Sequence, residues 1–186
     1  GTITATTGYG ILVTGIDFSS AGTFSGTISN GGLILAGAYG MQIQEVGLSH
    51  FSGTIGNSGR ITATANDGIL IDKLATDGNF VGTIRNSGPV KSTDSAGILI
   101  KSLATSGTAT FSGTIVNKGA ISAAQVGLSL SNIGTSRFSG SISNSGALMS
   151  LTGNGFSIGH VAGSGTFTGN IANSGVISTS NQGCLC

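Results

Sequence analysis

Asp67, Asp72 and Asp77 form the densest group of acids in the 186-residue chain. Two carboxylates about 5–10 Å apart on one face are what acid/base cleavage of a glycosidic bond needs. Asp72 has a charge partner available in Lys101, and Asp67 and Asp77 stand among turn-forming neighbours. The three are therefore assigned to turns and salt bridges, and no catalytic residue is expected. His50 and His160 each lack a Ser, Cys or carboxylate at a matching spacing and read as ordinary surface or loop residues. Cys184 and Cys186 make a lone Cys-Xaa-Cys. On one strand face their Cα atoms would lie about 6.5 Å apart, near the upper limit for a disulfide. They read as small buried hydrophobes, with bridging to a second chain as the alternative. Metal binding is disfavoured because no His or further Cys aligns with them. No cofactor and no metal are expected.

Charge excludes further classes. With 7 Lys+Arg, 6 Asp+Glu and a net charge of +1, the chain has no overall electrostatic footprint for nucleic acid. Arg60, Arg85, Lys91, Lys118 and Arg137 fall in different positions of the repeat described below and make no stripe, so a basic membrane-binding patch is not expected either. No apolar run approaches the length of a membrane-spanning helix, and no membrane insertion is expected.

What positions all these residues is a repeat. Phe51, Gly53, Ile55, Asn57, Gly59 and Ile61 occupy alternate positions, the period of a strand and not of a helix. The same register starts again at Phe24, Phe80, Phe111, Phe138 and Phe167. Steps of 27 to 31 residues separate the Phe positions, and every step is odd, so successive lengths differ by even numbers and the inward face stays inward. A second register follows each copy: Gly40, Gly68, Gly97, Gly127 and Gly155 each precede an apolar residue by one, three and six positions.

Strands that recur at one period, each too small to bury its own apolar face, are satisfied by stacking. The expected fold is all-β, a parallel β-solenoid of about six to seven coils of 27–31 residues with three short strands per coil. In the second full copy these are Phe51 to Ile55, Arg60 to Thr64 and Gly68 to Leu74. The chain reads as a single domain over residues 1–186, with a partial first coil at 1–23 and coils starting near 24, 51, 80, 111, 138 and 167. The expected core comprises Phe24, Phe51, Phe80, Phe111, Phe138 and Phe167, with Ile28, Ile55, Ile84, Ile115, Ile142 and Ile171. In-register stacking places Glu45 beside Lys73 and Asp72 beside Lys101, one coil apart. Because the chain starts and stops within a coil, open sheet edges are expected, and self-association through the solenoid ends with them.

Two further columns are singled out, one at a turn and one on the surface. Asn30, Asn57, Asn86, Asn117, Asn144 and Asn173 stand in Asn-Xaa-Gly turns, either for local turn chemistry or as a ladder of stacked amides. Thr27, Thr54, Thr83, Thr114 and Ser141 point outward between Gly and Ile, beside a second hydroxyl column at Ser25, Ser52, Ser112 and Ser139. Stacking would space such hydroxyls about 4.8 Å along the axis and about 6.6 Å across it, a possible surface-binding face similar to the hydroxyl faces of β-solenoid ice-binding proteins.

The recurring Phe-Ser-Gly-Thr-Ile, Asn-Ser-Gly-Xaa-Ile and Gly-Ile-Leu-Ile segments resemble the passenger repeats of bacterial autotransporters and related surface adhesins. The resemblance covers almost the whole chain and rests on composition and period. It implies a right-handed winding, an extracellular or bacterial cell-surface location, and a non-enzymatic structural or adhesive role with a host-cell or matrix ligand. Ice binding and polysaccharide cleavage remain the alternatives.

Overall fold

In a computed structural model, residues 1–17, 21–163, 165–181 and 183–185 are described. The side chains of Cys184 and Cys186 lie outside this description, so the expectations for that pair are not taken further. The described residues contain no helix, and their strands stack as four parallel sheets. One coil supplies His50–Phe51, Thr54–Asn57, Arg60–Ala63 and Ile69–Leu74. These belong in turn to what we name the first, second, third and fourth sheets. The first and second sheets have six strands and the third and fourth have seven. Each strand pairs with its equivalents one period away, as Phe80 does with Phe51 and Phe111. The chain is a β-solenoid of about six turns.

There are four strands per coil where three were expected. Phe51 to Ile55 is not continuous: it breaks at Ser52 and Gly53 between the first two sheets. The break is forced by crowding. A Cβ on Gly53 would stand 2.4 Å from the Gly26 carbonyl oxygen and 2.6 Å from the Phe24 ring. The same position in later coils, Gly82, Gly113, Gly140 and Gly169, meets the preceding carbonyl and Phe ring in the same way. Glycine there lets the chain bend tightly over the aromatic of the coil before it.

Inside, the columns are as the alternation predicts. Phe51, Phe80, Phe111 and Phe138 are fully buried, and their rings stack 4.8 to 5.0 Å apart within a few degrees of parallel. Ile34, Ile61, Val90, Ile121 and Leu148 fill the third sheet's inner face, and Ile43, Ile71, Ile100 and Leu130 fill the fourth's. Phe167 is the exception in the expected core. It stacks on Phe138 through one face and is 45% exposed, because the described coils cover it from one side only. Phe24 and Ile171 are half-buried for the matching reason.

One regularity was not anticipated. The residue that follows each of six fourth-sheet strands, at Asp17, Gly47, Ala75, Ala104, Gly134 and Ala162, has a φ between 47° and 58°. The corner into the first sheet is thus a left-handed residue in every one of these coils, four times with a non-glycine side chain. In three coils a second left-handed residue, Gly15, Glu45 or Lys73, lies inside the strand itself.

Candidate functional site

The Asn column is both of the things expected of it. At Asn30, Asn57, Asn117, Asn144 and Asn173 the Nδ2 donates to the carbonyl oxygen two residues on, as Asn57 does to Gly59 at 3.0 Å, which makes the turn. It donates again to the next coil's Oδ1, so Asn30, Asn57, Asn86, Asn117, Asn144 and Asn173 form one chain of amide bonds 2.6 to 2.8 Å long. Asn30 to Asn144 are buried, and at Asn30, Asn57, Asn117 and Asn144 both amide donors are committed, so the column is structural.

The acidic group does not assemble. Asp67 is buried at a corner, where its Oδ1 accepts from the Ser95 hydroxyl at 2.6 Å and the Ala96 amide at 3.1 Å. Asp72 lies on the fourth sheet, and Asp77 at the corner beyond it, where its amide bonds the Leu48 carbonyl. The expected Glu45–Lys73 pair forms at 2.8 Å. The expected Asp72–Lys101 pair does not form, and Asp72 Oδ1 has no hydrogen-bond partner. The cause is local backbone. Lys73 and Glu45 are both left-handed, so those two coils keep Asp72 opposite Gln44; Ser102 is not left-handed, and the coil carrying Lys101 falls out of step there. His50 and His160 both lie on strands, not loops, and among the described residues no three His, Cys, Asp or Glu side chains could hold a metal ion.

The Ser/Thr columns are in register, with Thr27, Thr54, Thr83, Thr114 and Ser141 each opposite the next. They do not form one plane with Ser112 and Ser139. The bend at the Ser-Gly step separates the two columns, and they become the walls of an open trough of about 370 Å³ floored by Gly113 and Gly140. Thr114 and Ser141 line that trough and, like Thr54 and Thr83 in the preceding coils, are half-buried.

Four of the cations read as unconnected in the sequence come together in space. Arg85 lies on the second sheet, Lys118 at the turn into the third, and Arg60 and Lys91 on the third. All four are exposed, and none of their side chains has a hydrogen bond or ion pair. They occupy three successive coils. Arg60 stands where the next coil has Pro89, Lys91 lies two residues beyond Pro89, and Lys118 stands one coil above Ser87. Arg60 and Lys91 line one shallow depression of about 420 Å³ together with Pro89, Ala120, Ala147 and Met149. The Arg85 side chain reaches back over the preceding coil, where its Nε would lie 3.4 Å from a Cβ on Gly56.

All six carboxylates are elsewhere, on the fourth sheet (Glu45, Asp72) or at the corners flanking it (Asp17, Asp67, Asp77, Asp94). The second and third sheets with their shared corner thus carry four positive charges and no negative one, although the whole chain has a net charge of only +1.

No family model matches the chain, and no curated protein or solved structure is significantly similar to it.

Proposed function

We propose that this chain is a segment of a rigid, non-enzymatic rod with a structural or adhesive role outside the cell, in the manner of the bacterial surface passengers its repeats resemble. The observation that supports this reading is the continuous spine of stacked Phe rings and linked Asn amides, which runs through successive coils without a change of geometry. Six turns at about 4.8 Å each give a stiff body about 30 Å long whose outer faces, not an interior, meet other molecules. The edge strands Thr2–Ala5 and Ile177–Thr179 each pair on one side only among the described residues, so they can accept either further coils of the same polypeptide or a second copy.

Adhesion is tested by adding the fluorescently labelled chain to host cells and to immobilised matrix. Saturable binding supports the adhesive role, and rods that bind neither leave only the structural one. A depolymerase assay on bacterial and plant polysaccharides tests the enzymatic alternative, and chain cleavage by the pure protein would overturn the non-enzymatic reading. Surface location is tested by protease shaving of intact producing cells, with an intracellular, protected chain as the contrary result.

A second reading rests on the in-register hydroxyl column from Thr27 to Ser141. Ice binding through it predicts thermal hysteresis that is abolished by Thr54→Tyr and Thr83→Tyr. The trough shape disfavours a planar ice contact, and absence of hysteresis at high concentration removes the reading.

A further inference from the structure

We propose that the corner between the second and third sheets, around Arg60, Arg85, Lys91 and Lys118, binds a linear polysaccharide bearing carboxylate or sulfate groups. The proposal deepens the adhesive part of the function above by naming the ligand class, and rests on that part for its biological meaning only.

Like charges placed together without counter-ions are unfavourable unless something else is satisfied by them. Here a chain with seven cations puts four on three adjacent coils of the second and third sheets, whose strands and shared corner carry no carboxylate. From strand spacing, the Arg60 and Lys91 Cα atoms are roughly 8 Å apart, one coil up and one alternate position along. Both flank the same depression, whose floor is Pro89, Ala120 and Ala147. A sugar ring fits this arrangement chemically. Its C–H face can lie on a small apolar floor while anionic substituents at its rim reach cations on either side.

Other polyanions fit less well. None of the residues lining the depression is aromatic, so bases would have nothing to stack on. The apolar residues form the floor of a depression between two long cations and cannot lead into the acyl region of a membrane as an anchor would. The patch also spreads around a corner over three coils, a shape suited to an extended chain and not to a single small anion.

The test measures binding of the 186-residue chain to immobilised heparin, hyaluronan and neutral dextran at about 50 mM salt. Binding to heparin, with or without hyaluronan, and none to dextran is expected; heparin alone assigns sulfate as the recognised group, and both together assign carboxylate as sufficient. Raising salt to about 200 mM should weaken binding by about tenfold or more, because the polymer's counter-ions are released on contact. Arg60→Glu/Lys91→Glu should weaken it at least tenfold. Lys101→Glu/Arg137→Glu changes net charge equally but lies off the patch, and should leave binding within about twofold. The substituted residues are exposed, and unchanged thermal unfolding verifies that each variant is folded. The proposal is overturned if neither anionic glycan binds, if the two double variants weaken binding equally, or if duplex DNA or anionic lipid vesicles bind more tightly than both glycans. Loss of glycan binding defeats this inference. Intact glycan binding with no attachment to cells or matrix defeats the adhesive function instead.

Discussion

Asn86 Nδ2 donates to Asn117 Oδ1 at 2.7 Å, a buried bond between residues 31 positions apart in the chain. Asn86 in turn accepts from Asn57 at 2.8 Å. Its removal therefore orphans a donor on one side and an acceptor on the other, each worth about 1–3 kcal/mol when buried. Asn86→Ala should destabilise the chain by about 2–4 kcal/mol. Asn173, which is exposed and bonded to the ladder from one side, should cost under about 1 kcal/mol when changed to Ala. Urea unfolding followed by circular dichroism measures both, and equal losses would show that the ladder adds nothing beyond the local turn.

The aromatic spine carries a second expectation. Phe111 is fully buried between Phe80 and Phe138, with ring centroids 5.0 and 4.8 Å away. Phe111→Ala removes a large side chain from a packed stack and should cost about 3–5 kcal/mol. Phe167→Ala removes a ring covered on one face and should cost about half as much or less. Because each coil touches only its neighbours, the Phe111 variant should also unfold in two steps, with the coils on either side melting at different temperatures. A single sharp calorimetric transition in that variant would contradict a nearest-neighbour account.

What could be read from the sequence follows from what a column is. Phe51, Gly53 and Ile55 all face inward, and this alternation passes unchanged through the bend at Ser52 and Gly53. The core was therefore legible and the division between the first and second sheets was not. The Glu45–Lys73 pair was legible because both residues sit in coils with the same backbone. Asp72 and Lys101 were misread because Lys73 is left-handed and nothing about a lysine announces that. The cation patch was missed for a geometric reason: Arg60, Arg85, Lys91 and Lys118 lie in four different columns, and a reading made down each column does not see neighbours on a diagonal around a corner.

Crowding at the bend gives a prediction that separates close approach from chain stiffness. A Cβ on Gly113 would lie 2.4 Å from the Gly82 carbonyl oxygen and 2.6 Å from the Phe80 ring, and neither neighbour can withdraw without breaking the ladder or the stack. Gly113→Ala should cost at least about 1–3 kcal/mol. Gly107 has nothing within 4 Å of its Cβ position and no left-handed φ, so Gly107→Ala should be neutral or stabilise by up to about 1 kcal/mol through the unfolded chain. Thermal melts of the two variants are the check, and a harmless Gly113→Ala would mean that the bend tolerates a side chain.

Two groups make the fold sensitive to alkali. Burial, then the nearby charges of Asp67 and Tyr9, raises the Tyr39 hydroxyl above its ordinary value of 10.0. The hydrogen bond to Glu45, then the charges of Glu45 and Asp72, raises the Lys73 ammonium above 10.5. In both cases the folded chain holds its proton to higher pH than the unfolded chain. The stabilisation is complete below the unfolded values and declines as pH rises through them towards the folded ones. The melting temperature should thus be level from about pH 8 to 9.5 and fall above about pH 10. Tyr39→Phe has no proton to lose and should make that fall shallower, as should Lys73→Gln for its own part. A melting temperature that rises above pH 10, or a Tyr39→Phe variant that falls more steeply than the parent, would reverse the sign of the linkage and with it the protected state assigned to these two side chains.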